Sequence, residues 1–339
     1  MKCFERIVKK YILPRINHLL DPLQFAYQSS RGVDDAILTL LHLAYTHLEA
    51  PKTHIKIIFF DFSSAFNTIH PNTLAQRLQD DFELDGSLIL WLLDFLSQRV
   101  QQVKVGSSLS DQIMTNIGSP QGCVLSPLLF ILYTNNCSSP HPGRHLIKFA
   151  DDTALVSLLQ ADEQDHGPVL HEFLNWCEQS HLLLNTSKTK EMAIDFRRDK
   201  AFRSTIIQGQ PIQSVHEYKY LGVVLDHKLK WEPYTELIQK KGQQRLYFLE
   251  KLISFDVDCK MAKMFNTAYV ESVLTFCIIC WFSSAAEAQK SRLRKIVTTA
   301  SKLLGTNLNS LENTYRERVQ SKAEIILANS KHPLFSTST

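Results

Sequence analysis

The feature that most limits what this chain can fold into is a pair of adjacent carboxylates, Asp151 and Asp152, set between two apolar runs. Residues 145–150 and 153–159 are rich in β-forming side chains, so the pattern predicts two strands joined by a tight hairpin at Asp151-Asp152. Adjacent carboxylates repel each other unless a positive charge lies nearby. A solvated turn is the ordinary explanation, but with apolar strands on both sides a divalent-cation site explains the pair at least as well.

A third carboxylate, Asp61, lies at the end of the β-rich run of residues 54–62 (HIKIIFFDF). This run is too short for a core helix and is predicted to be a buried strand. The small residues Ser63, Ser64 and Ala65 follow at once and would let backbone N–H groups approach a phosphate. Taken alone, an aspartate that caps the next turn is the simpler interpretation of Asp61. Two-metal nucleotidyl transfer nevertheless needs only a few aspartates, because Mg²⁺ prefers carboxylate and water oxygens.

The rest of the chain mixes helices and strands without a regular βαβ repeat, so the predicted fold class is α+β. Apolar spacing predicts helices at residues 1–20, 34–48, 71–78, 84–96, 125–133 and 169–181, and a mostly helical chain from residue 233. Strands are predicted at residues 101–105, 191–196 and 218–225. A glycine- and proline-rich loop, GSPQG at residues 118–122, could close over a base and sugar, although such loops before helices are common.

The composition is that of a chain able to fold around sizeable hydrophobic cores, but it does not indicate which ligand the protein binds. Hydrophobic residues make up 44% of the 339 residues, enough for more than one core, while the formal charge of +3 is too small to indicate nucleic acid by itself. Seven cysteines without a secretory signal predict reduced thiols in an intracellular protein. Cys277 and Cys280 form a lone CxxC in an apolar run and are expected to be buried, without zinc. No apolar run reaches the ~20 residues that span a bilayer, so no membrane partner is expected.

Several blocks, taken together, resemble reverse transcriptases. The run from Asp61 to Phe66, the GSPQG loop with Ser126-Pro127, and FADD at residues 149–152 stand in the order and approximate spacing of that family. A closer similarity is to the non-LTR retrotransposon, or LINE, type. The blocks that carry it are FDFSSAFNTIHP (60–71), QFAYQSSRGVDDAI (24–37), LNTSKTKEM (184–192) and YKYLGVVLD (218–226). A group II intron or telomerase-like chain would share the palm, but the blocks that begin at Gln24 and Tyr218 argue against it.

The resemblance implies a right-hand polymerase fold, with an antiparallel palm sheet, partial fingers and a helical thumb. Residues 1–215 would form a fingers remnant and the palm, and residues 216–339 the thumb and a helical C-terminal extension. Because family members carry a stretch before the position of Met1, the chain is expected to be truncated at its N-terminus. The function implied is RNA-directed DNA polymerase, with two Mg²⁺ ions (Mn²⁺ is possible), an RNA template, a DNA primer or target site, and dNTPs. The alternative is a catalytically inactive fragment that at most binds nucleic acid.

The resemblance also assigns the metal-binding and catalytic residues. Asp61 and Asp151 would bind the metals, with Asp152 beside them and the backbone carbonyl of Phe62 assisting. Lys188 would protonate the pyrophosphate; Lys190 is the alternative, and a merely solvated lysine is nearly as good an explanation of either residue.

Substrate contacts follow from the same resemblance. Ser64 and Ala65 would offer backbone N–H groups to the triphosphate, and Phe66 would reject a 2′-hydroxyl by its bulk. Gln121 and Gly122 would contact the incoming nucleotide. A primer grip would be formed by Tyr220, Leu221 and Gly222. Residence in the nucleus is expected only from the way such elements copy into chromosomes, since the sequence has no clear cluster of basic residues that would act as a nuclear localisation signal.

Overall fold

The computed structural model describes residues 2–161, 163–197 and 203–335. The chain divides into two compact units, each built from more than one segment. The first unit comprises Met1–Gly32, Ala50–Glu191 and Ala201–Ser214, and the second Val33–Glu49, Met192–Lys200 and Val215–Thr339. The assignment of these stretches to fingers, palm and thumb stays a prediction.

Helices occur where the apolar spacing predicts them, with small shifts at their ends. The α-helices are α1 (Lys2–Ile16), α2 (Val33–Leu48), α3 (Pro71–Asp80), α4 (Gly86–Leu96), α5 (Ser126–Tyr133), α6 (Pro168–Gln179), α7 (Glu232–Ser254), α8 (Cys259–Phe265), α9 (Ser272–Leu274), α10 (Ile278–Trp281), α11 (Glu287–Leu304) and α12 (Leu311–Leu327). A 3₁₀ turn covers Ala65–Asn67, and a π-helical segment covers Asn266–Glu271.

Many of the strands are short. They are β1 (His54–Phe60), β2 (Arg99–Gln101), β3 (Lys104–Val105), β4 (Ser108–Leu109), β5 (Ile113–Thr115), β6 (Arg144–Phe149), β7 (Asp152–Leu159), β8 (Lys190–Ile194), β9 (Ile206–Ile207), β10 (Gln210–Pro211), β11 (Gln213–Ser214), β12 (Glu217–Tyr220) and β13 (Val223–Asp226).

The main sheet has the strand order β11-β8-β1-β7-β6. Strand β1 pairs antiparallel with β7, so that Phe60 lies opposite Thr153. Strand β7 also pairs antiparallel with β6, and Phe149 lies opposite Asp152. The strands that carry the candidate carboxylates therefore form the predicted antiparallel sheet, while the pairing of β11 with β8 is parallel. Every residue of β1 is buried, as predicted for the run that ends at Asp61.

One large apolar core supports this sheet in the first unit. Side chains of α1 and α3–α6 pack with the alternate β1 residues Ile58 and Phe60. Helix α5 is buried at every residue except Pro127, which is partly buried, as its largely apolar sequence predicts. The two residues just before α5 are bonded to α1, because the Glu5 carboxylate accepts hydrogen bonds from the backbone N–H groups of Val124 (2.6 Å) and Leu125 (3.2 Å). This packing holds the segment that follows the GSPQG loop against the sheet.

Three local predictions were wrong in detail. The hairpin turn is formed by Ala150 and Asp151, one residue earlier than predicted, because Asp152 already pairs with Phe149. Residues 101–105 do not form one half-buried strand, since β2 and β3 are separate and their residues are largely exposed. Residues 218–225 form two antiparallel strands instead of one, with the predicted turn at Leu221-Gly222 between them.

The second unit is mostly helical and has a small apolar core of its own, in which Leu249, Ala262, Ala300 and Leu304 are buried. Of the two cysteines predicted to be buried, Cys280 is buried and Cys277 is only partly buried; both are free thiols. One stretch, Cys259–Trp281, is long and apolar enough to cross a membrane by length and composition, contrary to the expectation that no run reaches that length. Such a stretch is weak support for a span, because buried core helices pass the same test. The absence of a membrane partner stays a prediction.

Candidate active site

Asp61 is held at the end of β1 by a neighbouring segment of chain. Its carbonyl accepts a hydrogen bond from the Asn185 N–H (2.8 Å), and the next two residues continue the pairing, with a bridge from Phe62 to Leu184. The Asp61 side chain remains 36% exposed. The backbone is therefore fixed while the carboxylate stays open to a ligand, which is the combination a metal site completed by substrate requires.

The β6–β7 hairpin brings two more carboxylates to the same edge of the sheet. Because Phe60 lies opposite Thr153, extending the register by one residue places Asp61 level with Asp152. The turn residue Asp151 comes immediately before Asp152. Partial desolvation, together with the negative charges of Asp151 and Asp61, raises the pKa of Asp152 to about 6. Asp61 and Asp151, both predicted from the sequence, are thus close enough to influence the ionisation of Asp152.

The donor set fits Mg²⁺ in an open arrangement. Within the parts of the chain that the structure describes, no three His, Cys, Asp or Glu side chains form a ready-made metal cage. Mg²⁺ does not need one, since it is usually bound by one or two carboxylates together with water and substrate phosphates. A cation would also relieve the repulsion that raises the pKa of Asp152. Asp61, Asp151 and Asp152 are therefore suited to an ion that the substrate helps to hold.

The two candidate lysines have different surroundings. The Lys188 Nζ lies 3.9 Å from the Asp61 Oδ2, and its side chain is 68% exposed. The Lys190 Nζ instead donates to the Ser187 carbonyl (2.7 Å) and to the Gln213 Oε1 (2.8 Å). Of the two, Lys188 is the one placed beside a candidate metal ligand.

The predicted nucleotide-contacting loops lie against each other. The Ser119 N–H donates to the Phe66 carbonyl (2.9 Å), and the Gly118 N–H donates to the Ile69 carbonyl (2.7 Å). Gly118 has φ +75°, and a Cβ there would lie 2.8 Å from the Asn67 Cα, so only glycine permits this approach. The Phe66 ring stacks on Phe130 of α5 with centroids 4.5 Å apart. Both loops are thus anchored to the core.

The remaining predicted nucleotide contacts differ in how exposed they are. Ser64 adopts a left-handed backbone (φ 53°) just before the 3₁₀ turn, in which Ala65 is buried and Phe66 is half-buried. Gln121 and Gly122 are exposed at the tip of the GSPQG loop.

The predicted primer-grip residues lie in the second unit and form the expected turn. Leu221 (φ 48°) and Gly222 (φ 93°) connect β12 to β13, with both central residues at positive φ as in a two-residue hairpin. A Cβ on Gly222 would lie 2.9 Å from the Phe276 Cε1, so a side chain at this position would have to displace the ring. Tyr220 is buried at the start of the turn.

Two further residues, Gln24 and Tyr27, lie near the hairpin and were not predicted as site residues. The Gln24 side chain is hydrogen-bonded to the backbone of Ala150. Tyr27 lies close enough to Asp151 that burial and this carboxylate together raise the pKa of its phenol. The block at residues 24–37 was recognised only as a family resemblance. No local pattern could assign these roles, because Gln24 and Ala150 are 126 positions apart.

Similarity to known proteins shows which family this chain belongs to. Residues 1–225 match the family described as reverse transcriptase (RNA-dependent DNA polymerase), which is more than half of the chain. The chain belongs to the reverse transcriptase family. Within that family, its relatives are non-LTR retrotransposon enzymes of the LINE type, as the sequence blocks predicted.

Two relatives illustrate how far the similarity of this reverse transcriptase chain extends. The RNA-directed DNA polymerase from mobile element jockey of Drosophila melanogaster is 25% identical over 325 residues, covering 89% of this chain and 34% of that protein. The probable RNA-directed DNA polymerase from transposon BS of the same species is 27% identical over 216 residues, covering 60% of this chain and 23% of that protein. The chain thus spans about a third of the length of the jockey polymerase.

A solved structure confirms the predicted fold of this chain. The telomerase from Candida tropicalis in complex with a TWJ fragment of telomeric RNA has a TM-score of 0.51, over 93% of this chain and 54% of that chain, at 12% identity. At this identity the likeness shows only the shared right-hand polymerase fold.

Proposed function

We propose that this chain is the polymerase core of a LINE-type reverse transcriptase and extends a primer 3′-hydroxyl by two-metal nucleotidyl transfer on an RNA template. The observation that carries the proposal is the meeting of three carboxylates at one sheet edge. Asp61 at the end of β1 and Asp151 in the β6–β7 turn both act electrostatically on Asp152. Like charges gathered at an accessible edge provide what a divalent ion needs.

In this proposal the carboxylates of Asp61, Asp151 and Asp152 and the carbonyl of Phe62 would hold the ions. When bound, Mg²⁺ or Mn²⁺ would supply the positive charge that activates the primer hydroxyl and stabilises the leaving pyrophosphate. Lys188, which lies 3.9 Å from the Asp61 carboxylate, donates a proton to the pyrophosphate.

The substrate contacts are proposed from residues on the anchored loops. Ser64 and Ala65 present backbone N–H groups to the dNTP triphosphate, while the Phe66 ring, held by stacking on Phe130, excludes a 2′-hydroxyl. Gln121 and Gly122 contact the incoming nucleotide from the exposed loop tip. A DNA primer or target site is held by the turn at residues 220–222, and the enzyme works in the nucleus, where such elements copy into chromosomes.

Primer extension on an RNA template with Mg²⁺ and dNTPs tests this function. The parent should extend the primer, whereas Asp61→Asn and Asp151→Asn should each lose at least ~10²-fold in rate, because metal ligation supplies several kcal/mol of charge stabilisation. Asp94→Asn is the matched control, since Asp94 is an exposed carboxylate on α4 outside the site. If the folded parent gives no extension, the proposal fails and an inactive chain that only binds nucleic acid becomes the better account.

A further inference from the structure

A buried glutamine holds the turn that presents Asp151. Gln24 is only 2% exposed, and its Oε1 accepts a hydrogen bond from the Ala150 N–H at 3.0 Å. Its Nε2 donates to the Ala150 carbonyl at 3.4 Å. One primary amide therefore binds both backbone polar groups of the residue that comes immediately before Asp151.

The bonded residue, Ala150, has an unfavourable backbone conformation. Ala150 has φ 56°, in the left-handed region that residues other than glycine and asparagine rarely adopt. A non-glycine residue keeps such a conformation only where its surroundings hold it there. The pair of hydrogen bonds from Gln24 is such a restraint, and it acts at the turn position that determines where the next side chain points.

The segment that carries Gln24 is itself fastened to β6. Residues 21–28, which we name the bracing loop, form a parallel bridge from Gln24 to Lys148. The Phe25 N–H donates to the Lys148 carbonyl, and the Lys148 N–H donates to the Leu23 carbonyl, both at 2.8 Å. The buried Lys148 Nζ also lies 2.7 Å from the Asp21 Oδ2. The bracing loop thus covers the outer edge of the hairpin and has little freedom to move away from it.

We propose that Gln24 is a positioning residue for the polymerase reaction, holding the Ala150–Asp151 turn in the geometry that aims Asp151 at the metal ions. This inference rests on the proposed function. It requires the amide specifically, because a glutamate could not donate to the Ala150 carbonyl and an apolar side chain could make neither bond. Asparagine has the right groups on a side chain one carbon shorter, so it reaches the turn less well.

The same loop offers a matched control. Gln28 donates to the carbonyls of Gln24 (2.7 Å) and Asp21 (3.5 Å), both within the bracing loop. Gln28→Met therefore removes a glutamine from the loop without removing a hydrogen bond to the turn, whereas Gln24→Met removes both bonds to Ala150.

Two readouts on folded protein, with folding checked by thermal unfolding, test the inference. The first is the Mg²⁺ dependence of primer extension. The second is Mn²⁺ binding followed by water-proton relaxation, which needs no turnover. For Gln24→Met we expect the half-saturating metal concentration to rise about 10-fold in both, as for loss of a residue that orients a metal ligand. Gln28→Met should match the parent, and the affinity of Gln24→Met for the RNA–primer duplex should be unchanged.

The outcomes separate this inference from the proposed function. If the parent extends primers, equal metal dependence in the Gln24→Met and Gln28→Met variants overturns the positioning role. If the parent does not extend primers, the proposed function fails, and Mn²⁺ binding alone then tests whether Gln24 has a positioning role. Weaker Mn²⁺ binding in Gln24→Met than in Gln28→Met supports the positioning role, and equal binding, including none in either variant, overturns it. Should Gln24→Met not fold, Gln24→Asn replaces it under the same criteria.

Discussion

At the scale of single residues, Lys188 and Lys190 show how two similar candidates are separated by their contacts. They are two positions apart in the sequence and carry the same charge; the family resemblance favoured Lys188, with Lys190 as the alternative. The structure places the Lys188 Nζ near the Asp61 carboxylate, whereas the Lys190 Nζ bonds to the Ser187 carbonyl and to Gln213. The exposed Lys188–Asp61 pair adds little to stability, because solvent screens it, so its position matters mainly for the proposed chemistry.

We therefore predict that Lys188→Gln slows the chemical step of primer extension by about 10²-fold, the usual contribution of a positioned general acid. Lys190→Gln should leave that step near the parent's rate. Single-turnover extension measures the step directly. A slow Lys190→Gln with a normal Lys188→Gln would transfer the role to Lys190, and normal rates in both variants would show that neither lysine is the acid.

At the scale of secondary-structure elements, a buried polar cluster joins strands of the main sheet behind the candidate site. The Lys56 Nζ of β1 lies 3.1 Å from the Glu191 Oε1 of β8, and both side chains are almost fully buried. His166 connects the same carboxylate to β7, since its Nε2 is 3.2 Å from the Glu191 Oε1 and its Nδ1 is 2.7 Å from the Ser157 Oγ. With its proton on Nε2, His166 donates to Glu191 and accepts from Ser157. The serine, histidine and glutamate resemble a catalytic triad, but their burial makes the cluster structural.

This cluster predicts a pH-dependent stability. Burial by itself would raise the pKa of Glu191, but hydrogen bonds from His166 and Thr205 and the charge of Lys56 lower it to about 2, from 4.5. Because the folded pKa lies below the unfolded one, the stabilisation is fully present above about pH 4.5 and is lost as the pH falls toward 2. A shift of this size corresponds to about 3 kcal/mol. Burial also lowers the pKa of His166 in the folded protein. Protonation of this histidine in the unfolded chain below about pH 6.5 therefore also lowers the stability as the pH falls.

Urea unfolding of the parent and of Glu191→Gln across this pH range measures the effect. The variant should be less stable at pH 7, since it removes the buried ion pair between Lys56 and Glu191. The difference in unfolding free energy between the two proteins should shrink as the pH falls from 4.5 to 2. A difference that stays constant with pH would show that Glu191 has an ordinary pKa in the folded state.

At the scale of the whole molecule, residues far apart in the chain complete each unit. In the second unit, Asp35 of α2 is fully buried and pairs with Lys322 of α12 (2.9 Å) and with His332 (3.2 Å). The neighbouring Asp34 also reaches Lys322 (3.2 Å), but its side chain is 29% exposed. Helix α2 therefore depends on a segment almost three hundred residues later for the partners of its buried charge.

We predict that Asp35→Asn lowers the free energy of unfolding by about 2–4 kcal/mol, somewhat less than a fully broken buried pair because Asp34 remains beside Lys322. Asp34→Asn is the control and should cost less, since Asp34 is partly exposed whereas Asp35 is fully buried. Hydrogen exchange of the α2 amides, together with urea unfolding, measures both. Equal losses in the two variants would mean that burial of the Asp35 pair does not decide the stability of α2.

Much of this protein was determined by the sequence alone. The buried strand before Asp61, the hairpin at the adjacent aspartates and the helices follow from periodicity and residue type, which are local properties of a chain. The family blocks were identified by their resemblance to reverse transcriptases. The exact turn at Ala150-Asp151 was missed by one residue, because the register of β6 against β7, and not turn composition, decides which residues remain unpaired.

Only the tertiary structure decided which side chains support the site. Gln24 bonds to Ala150 across 126 positions, the Ser119 N–H bonds to the Phe66 carbonyl, and Lys188 instead of Lys190 lies at Asp61. The physical reason is that a hydrogen bond or ion pair needs its partners within a few tenths of an ångström of the right distance. Local sequence patterns report which face of an element is buried, whereas strand order and packing determine which distant residues face each other across it.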